Sequence, residues 1–177
     1  MLFKSLDVGC GVDFRGNVNV DLYPKEYFSR KINLKRNPNF IVADCHYLPF
    51  NSKSFETVFC SHLLEHLGVD VTRTVKELLR VSKEKVVIRV PSAGASTAKA
   101  PFHNKIFTAK AFDIIFANYK HKITFVRWRL RFAKMPIRLI NKLCNRGKFR
   151  IKNPFFWFPF MVPTEIKVEV YLKNSYP

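Results

Sequence analysis

Apolar positions recur along this chain in short runs closed by glycine, proline or an acid. The run from Leu2 to Val8 reads as a buried strand over residues 3–8, ended by Gly9 and Gly11. Asn17-Val18-Asn19-Val20-Asp21 is a second strand, and Phe40-Ile41-Val42-Ala43 a third that ends in Asp44. Phe55 to Cys60 and Lys85 to Val90 are a fourth and a fifth, the latter stopped by Pro91. Helical spacing is clearest from Asp70 to Ser82, where Asp70 is an N-cap and Val71, Val75, Leu78 and Leu79 fall at i, i+4, i+7 and i+8. Thr108 caps a helix through Asn118, with Phe112, Ile115 and Phe116 inward. Ile123 to Phe132 alternates as a strand, with Arg127, Arg129 and Arg131 on one face and Trp128, Leu130 and Phe132 on the other. Pro136 starts a helix that Gly147 ends, residues 155–161 are an aromatic loop broken by Pro159, and Glu165 to Leu172 is the last strand. Residues 22–39, with Pro24 and Pro38, read as a basic connection holding one short helix around Tyr27 to Lys31.

Strands alternating with short helical segments predict an α/β fold with a doubly wound, mostly parallel, Rossmann-like sheet. A basic and aromatic insertion precedes its last strand. One connection is unusually lean. Residues 11–16, between the first two strands, hold one helical turn at most, whereas a parallel crossover normally takes about a dozen residues or more.

Composition narrows the class. The chain has 177 residues, 47% of them apolar and 15% aromatic, which suits one domain with a real core and excludes a disordered segment. No apolar run reaches the roughly 18 residues that span a bilayer. Met1-Leu2-Phe3-Lys4 leads straight into the first strand, so no signal peptide is expected. Cys10, Cys45, Cys60 and Cys144 form no C-x-x-C pair, which predicts a reduced, cytoplasmic protein.

Charge changes the picture more. Thirty-one Lys and Arg against thirteen Asp and Glu give a net charge of +18. Between Asp113 and Glu165 no acid occurs, and that stretch carries twelve Lys and Arg residues. A block of one sign attracts nucleic acid or an anionic membrane surface. A merely solvated cationic face is the plainer reading.

Candidate chemistry gathers at the strand ends. A strand that stops in glycines lets the backbone approach a ligand. Asp21 ends the second strand, where an acid can accept both hydroxyls of a ribose. Asp44 ends the third, where a carboxylate can meet an adenine edge. Gly9-x-Gly11 alone is weak evidence, because the third glycine of the dinucleotide fingerprint is missing. Together the stretches Leu6-Asp7-Val8-Gly9-Cys10-Gly11, Asn19-Val20-Asp21, Ala43-Asp44 to Leu48-Pro49-Phe50, Ser54 to Val58, Ser61 to Leu67, the helix ending Glu77-Leu78-Leu79-Arg80-Val81 and Val90-Pro91 resemble the class I S-adenosylmethionine-dependent methyltransferases. The likeness is to the type 11 group, in a variant with a shortened first helix, and covers residues 3 to about 92.

The resemblance implies S-adenosylmethionine as cofactor. It implies a binding set of Asp7, Gly9, Cys10, Gly11, Asp21, Asp44, Cys45, Ser61 and His62. Gly9 and Gly11 would approach the methionine portion and Asp21 would hold the ribose. Asp44 with Cys45 would flank the adenine, and Ser61 and His62 would line the floor beneath the sulfonium. Residues 1–92 are then the cofactor-binding half of a single domain, and residues 93–177 its substrate-side half, with the insertion at about 127–163.

The segment His62-x-x-Glu65-His66 also matches an inverted zinc-protease pattern. It follows a strand directly, runs into Gly68 and lacks a third ligand, so no metal is expected. Methyl transfer from a sulfonium asks mainly for positioning. Where the acceptor must lose a proton, His66 and His103 are the candidate catalytic bases.

The acceptor stays open among three readings. Arg127, Arg129, Arg131, Arg138 and Lys142 could bind nucleic-acid phosphates, with Trp128 or Trp157 stacking on bases. They could dock the protein at the periphery of an anionic membrane, beside a glycan or lipid-linked acceptor. Or the block could be a lid over a small acidic acceptor. The resemblance leans towards the glycan or another small acceptor. A different class also stands: a catalytically degenerate methyltransferase fold used as a basic RNA- or membrane-binding module.

Overall fold

The elements follow the periodicity closely. In order they are β1 (Phe3–Val8), β2 (Val18–Asp21), β3 (Glu26–Tyr27), β4 (Arg30–Lys31), β5 (Phe40–Val42), β6 (Phe55–Ser61), α1 (Val71–Val81), β7 (Ser82–Pro91), α2 (Ala109–Ile115), β8 (Lys120–Leu130) and β9 (Met161–Tyr171). They are taken from a computed structural model that describes residues 3–11, 14–22, 26–27, 30–31, 39–68, 71–93, 95–130 and 161–172. Seven strands form one sheet in the order β5-β2-β1-β6-β7-β9-β8. The first five in that order are mutually parallel, and β9 runs antiparallel to both β7 and β8.

From β1 the chain steps outward through β2 to β5, then returns to lay β6 on the other side of β1. The order therefore reverses between β1 and β6. In open α/β sheets a ligand crevice lies at such a reversal, outside the carboxyl ends of the strands. Here those ends are Gly9 and Ser61.

The core is built from strand residues covered on both faces, as parallel sheets require. Leu6, Val8, Val20, Val58, Val86, Ile88, Ile166 and Val168 are buried, joined by Leu78 from α1 and by Phe112 and Phe116 at α2. In α1, Val71, Thr74, Val75, Leu78 and Val81 are buried, whereas Leu79 is only half-buried. The apolar spacing thus finds the correct face, but the small Thr74 sits at its centre. Its hydroxyl lies 3.6 Å from the Cys45 thiol.

The lean connection contains no helix among its described residues. Gly16 explains how it closes. A Cβ there would strike the carbonyl of Val18 and the backbone of Asp7, so the turn presses directly on β1. The Asn19 side chain fixes it, accepting from the Gly16 amide at 3.0 Å and donating to the Gly16 carbonyl at 2.9 Å.

Some expectations are corrected. Where a short helix is expected around Tyr27 to Lys31, β3 and β4 pair as an antiparallel two-stranded ribbon. Helix α2 stops at Ile115 instead of Asn118, because Ala117 and Tyr119 form tight turns back to Ile114 and Phe116. Ile115 is exposed, and Phe107, stacked on Phe112 at 5.2 Å, fills the inner position. Strands β8 and β9 form one long pairing from Lys120 with Tyr171 to Leu130 with Met161, so each begins earlier than its alternation suggests. The backbones of Arg127 and Arg129 lie in β8. Their side chains lie outside the described residues, as do Asp70, Arg131, Arg138, Lys142, Trp157 and the expected 136–147 helix.

His121 links β8 to α2. One ring nitrogen faces the Tyr119 carbonyl at 2.9 Å and the other the Asp113 carboxylate at 3.0 Å. Both partners only accept, so the doubly protonated ring satisfies both. The Asp113 hydrogen bond, followed by that of Tyr119, raises the His121 pKa. A raised folded pKa stabilises the fold below the unfolded value of about 6.5 and loses that contribution as pH rises through the folded value. The Tm gap between wild type and His121→Gln is therefore larger at about pH 6 than at about pH 8.5, and the exposure of Asp113 keeps the effect below about 1 kcal/mol. Thermal melts at the two pH values check this; equal gaps contradict it.

Candidate cofactor and acceptor site

The site begins at the glycine turn. Gly9 has φ +70°, and a Cβ on it would meet the Leu63 side chain at 2.9–3.0 Å. Two constraints, a left-handed backbone and a close neighbour, thus require glycine. The amides of Gly9 and Cys10 both donate to the Val20 carbonyl, at 2.8 and 3.1 Å. The Gly11 amide donates to Asp21 Oδ2 at 2.8 Å. The turn is folded onto the end of β2, and the acid there is part of the clamp. Behind it, Asp7 is buried inside the sheet and accepts from the Arg15 amide at 3.1 Å.

The next wall is the turn after β5. The His46 amide and ring both donate to Asp44 Oδ1, at 2.8 and 2.7 Å. Those bonds, the amide foremost, hold the Asp44 carboxyl below the usual carboxylate range. It therefore stays a hydrogen-bond acceptor at neutral pH. The turn is stapled from α1. Arg80 donates to the carbonyls of Phe50 and Leu48 at 2.7 and 3.0 Å, and to Glu77 at 2.6 and 2.8 Å. Glu77 in turn accepts from the Leu48 amide at 2.8 Å. The Arg80 hydrogen bond leads the lowering of the Glu77 pKa.

The third wall follows β6. His62 adopts φ +54°, a left-handed turn that re-aims the chain. Its Nδ1 donates to Glu65 Oε1 at 3.2 Å, and its Nε2 lies 4.0 Å from Glu165 Oε2. Glu165 lies 3.7 Å from Arg89. A single 3-10 turn, Leu64–His66, follows. His66 stacks on Phe102 at 5.6 Å and meets His103 edge-on at 4.7 Å.

These walls enclose a cleft of about 430 Å³, within the range of small-ligand pockets. Gly9, Cys10, Gly11, Asp21, Asp44, Cys45, Ser61 and His62 all line it, with Arg15, His46, Leu63, His66 and Leu67. Asp7 does not; it lies behind the turn and positions it. His66 reaches the cleft, whereas His103 stands behind His66. Among the described residues, the thiols of Cys10, Cys45 and Cys60 are held protonated. Burial, and then the negative charge of Asp21 and Asp7, pushes Cys10 far up, and burial likewise raises Cys45 and Cys60. Sequence reasoning missed the staple role of Glu77 and Arg80. Their i, i+3 spacing is visible, but nothing local tells that they reach Leu48 and Phe50.

Residues 6–90 match the family model described as a methyltransferase domain. Comparison with curated protein sequences finds no significant match. Among solved structures, a SAM-dependent methyltransferase from Archaeoglobus fulgidus is similar, with TM-score 0.66 and 18% identity, over 96% of this chain and 86% of that one. The YcgJ protein from Bacillus subtilis is similar with TM-score 0.59 and 13% identity, over 98% and 93%. Phosphoethanolamine N-methyltransferase 2 of Haemonchus contortus, in complex with S-adenosyl-L-methionine, has TM-score 0.56 and 15% identity, over 99% of this chain and 50% of that one. Sheet, cleft and family match together make residues 6–90 a methyltransferase domain of the class I, S-adenosylmethionine-dependent kind. S-adenosylmethionine is its cofactor. Among the described residues no helix is long and apolar enough to cross a membrane.

Arg80→Ala removes the two hydrogen bonds to the Leu48 and Phe50 carbonyls that tie the Asp44 turn to α1, and with them the two that hold Glu77 in place; half-exposed charge-assisted bonds of this kind cost about 1–3 kcal/mol together. The variant should melt lower and bind S-adenosylmethionine several-fold more weakly, as read by calorimetry. Unchanged affinity would show that the staple does not shape the cleft for the cofactor.

Proposed function

We propose that this chain transfers the methyl group of S-adenosylmethionine to an acceptor, with a glycan, lipid-linked or other small acceptor favoured. The carrying observation is that two acids at successive strand ends, Asp21 and Asp44, line one cleft with the Gly9–Gly11 turn. The cofactor supplies an activated sulfonium methyl when bound. Asp21 accepts from the ribose hydroxyls while Oδ2 keeps the Gly11 amide in place. Asp44, held ionised by His46, receives the adenine side together with Cys45. Gly9 and Gly11 admit the methionine portion, and Cys10 closes that end. Ser61 and His62 form the floor. His66 serves the acceptor, and His103 supports His66 from behind.

A small acceptor accords with the phosphoethanolamine N-methyltransferase among the structural relatives. On this reading Arg127, Arg129, Arg131, Arg138 and Lys142, with Trp157, serve the acceptor and attract an anionic partner. The second reading, a binding module on a degenerate methyltransferase fold, draws on that same one-sign block and on the short β1–β2 connection.

Calorimetry separates the two. Wild type should bind S-adenosylmethionine, and Asp21→Ala should weaken it by about 10–100-fold, the worth of one or two charge-assisted hydrogen bonds. Absence of binding at about millimolar cofactor favours the module. Unchanged affinity in Asp21→Ala removes the ribose role.

A further inference from the structure

We propose that Glu65, His66 and His103 form a binding site for a first-row divalent cation at the rim of the cleft. One carboxylate oxygen of Glu65 and one ring nitrogen from each histidine lie within 4.8 Å of one another. Two histidines and a carboxylate are the donor set of catalytic zinc sites and of open iron(II) sites.

Three independent features of the cluster point to a ligand. The first is Glu65. It is 1% exposed, and its Oε1 accepts from His62, yet Oε2 has no hydrogen-bond partner among the described residues. A buried carboxylate oxygen in this state is costly, and a cation satisfies it. His103 Nδ1 is likewise buried without a partner.

The second is the tautomer of His66. Its Nδ1 lies 3.2 Å from the Phe102 carbonyl. A carbonyl only accepts, so Nδ1 carries the proton and the Nε2 lone pair remains for a metal. Metal-bound histidines characteristically donate their other N–H to a carbonyl or carboxylate in this way.

The third is bracing. The Glu65 carbonyl accepts from the amides of Asn104 and Lys105 at 2.7 and 3.2 Å, and the His66 carbonyl accepts from Asn104 Nδ2 at 2.6 Å. The loop that carries His103 is therefore fastened to the turn that carries the other two ligands. Bonds of about 2.0–2.2 Å place tetrahedral ligand atoms roughly 3.4 Å apart, so side-chain rotations that draw the three donors together around a cation close the set.

A second trio, Asp44, Cys45 and His46, is also compact, but both His46 donors already occupy Asp44 Oδ1. It explains its own geometry and needs no ion. The sequence pattern His62-x-x-Glu65-His66 contained two of the proposed ligands. Its other histidine is not one of them, since His62 is spent on Glu65 and faces Glu165. The third ligand comes from a loop far away in sequence. Because His66 lines the cleft, an acceptor oxygen entering there can complete the coordination of the cation. On the proposed function, His66 then serves the acceptor by presenting the cation. That use rests on the methyl-transfer reading; the existence of the site does not.

The test titrates chelator-treated, metal-free protein with cobalt chloride, followed by visible d–d absorption, and with zinc chloride by calorimetry. Wild type should take up one equivalent. His103→Ala and Glu65→Gln should weaken uptake by at least about tenfold, while His46→Ala leaves it unchanged. Circular dichroism checks each fold, and His103→Ala, on a surface loop, keeps the test available if Glu65→Gln unfolds. Absence of uptake by wild type at about millimolar cation, or uptake that survives His103→Ala, overturns the proposal. S-adenosylmethionine titrations on the same samples report the methyltransferase reading separately.

Discussion

The hydrogen bond from the Gly11 amide to the Asp21 carboxylate holds the cleft together. It joins the end of β1 to the end of β2 across 2.8 Å. Among its described residues the β1–β2 connection offers no helix N-terminus to the cofactor, and so none of the partial positive charge that such an end supplies. The short turn compensates by geometry. Gly9 fits against Leu63, Gly16 lies on the backbone of β1, and Asp7 takes the Arg15 amide. Loops braced in this way form a cradle that a helix end would otherwise provide.

The same principle recurs around the cleft. Each wall is a turn at a strand's carboxyl end, and each is tied to something rigid. The Asp44 turn is held through Arg80 and Glu77 to α1, and the turn after β6 is held through Asn104 and Lys105 to the loop before α2. The sheet sets where the turns begin, and the ties set where their side chains point. The cleft is lined by those turns, because the strands beneath them are committed to the buried core.

Most of the sheet is legible from period-two and continuous apolar runs, because burial on both faces leaves little freedom in the choice of residue. The five parallel strands and α1 follow that pattern. The cleft is legible as three separated strand ends, Gly9 to Gly11, Asp21 and Asp44, since acids and glycines interrupt the apolar pattern there. What was not legible required contacts between distant segments. Asp7 looks like a site residue by its place in the glycine motif, yet burial turns it into a support. Glu77 and Arg80 read as an ordinary helical pair until the Leu48 and Phe50 carbonyls come into view. The β3–β4 ribbon escaped notice because strands of two residues carry no periodicity.

A structure of the chain with S-adenosylhomocysteine bound tests the central claim most directly. The account predicts the ribose hydroxyls on the Asp21 carboxylate, with the Gly11 amide still on Oδ2, and the adenine beside Asp44 and Cys45. A ligand seated elsewhere, or a ribose that leaves Asp21 untouched, would contradict it.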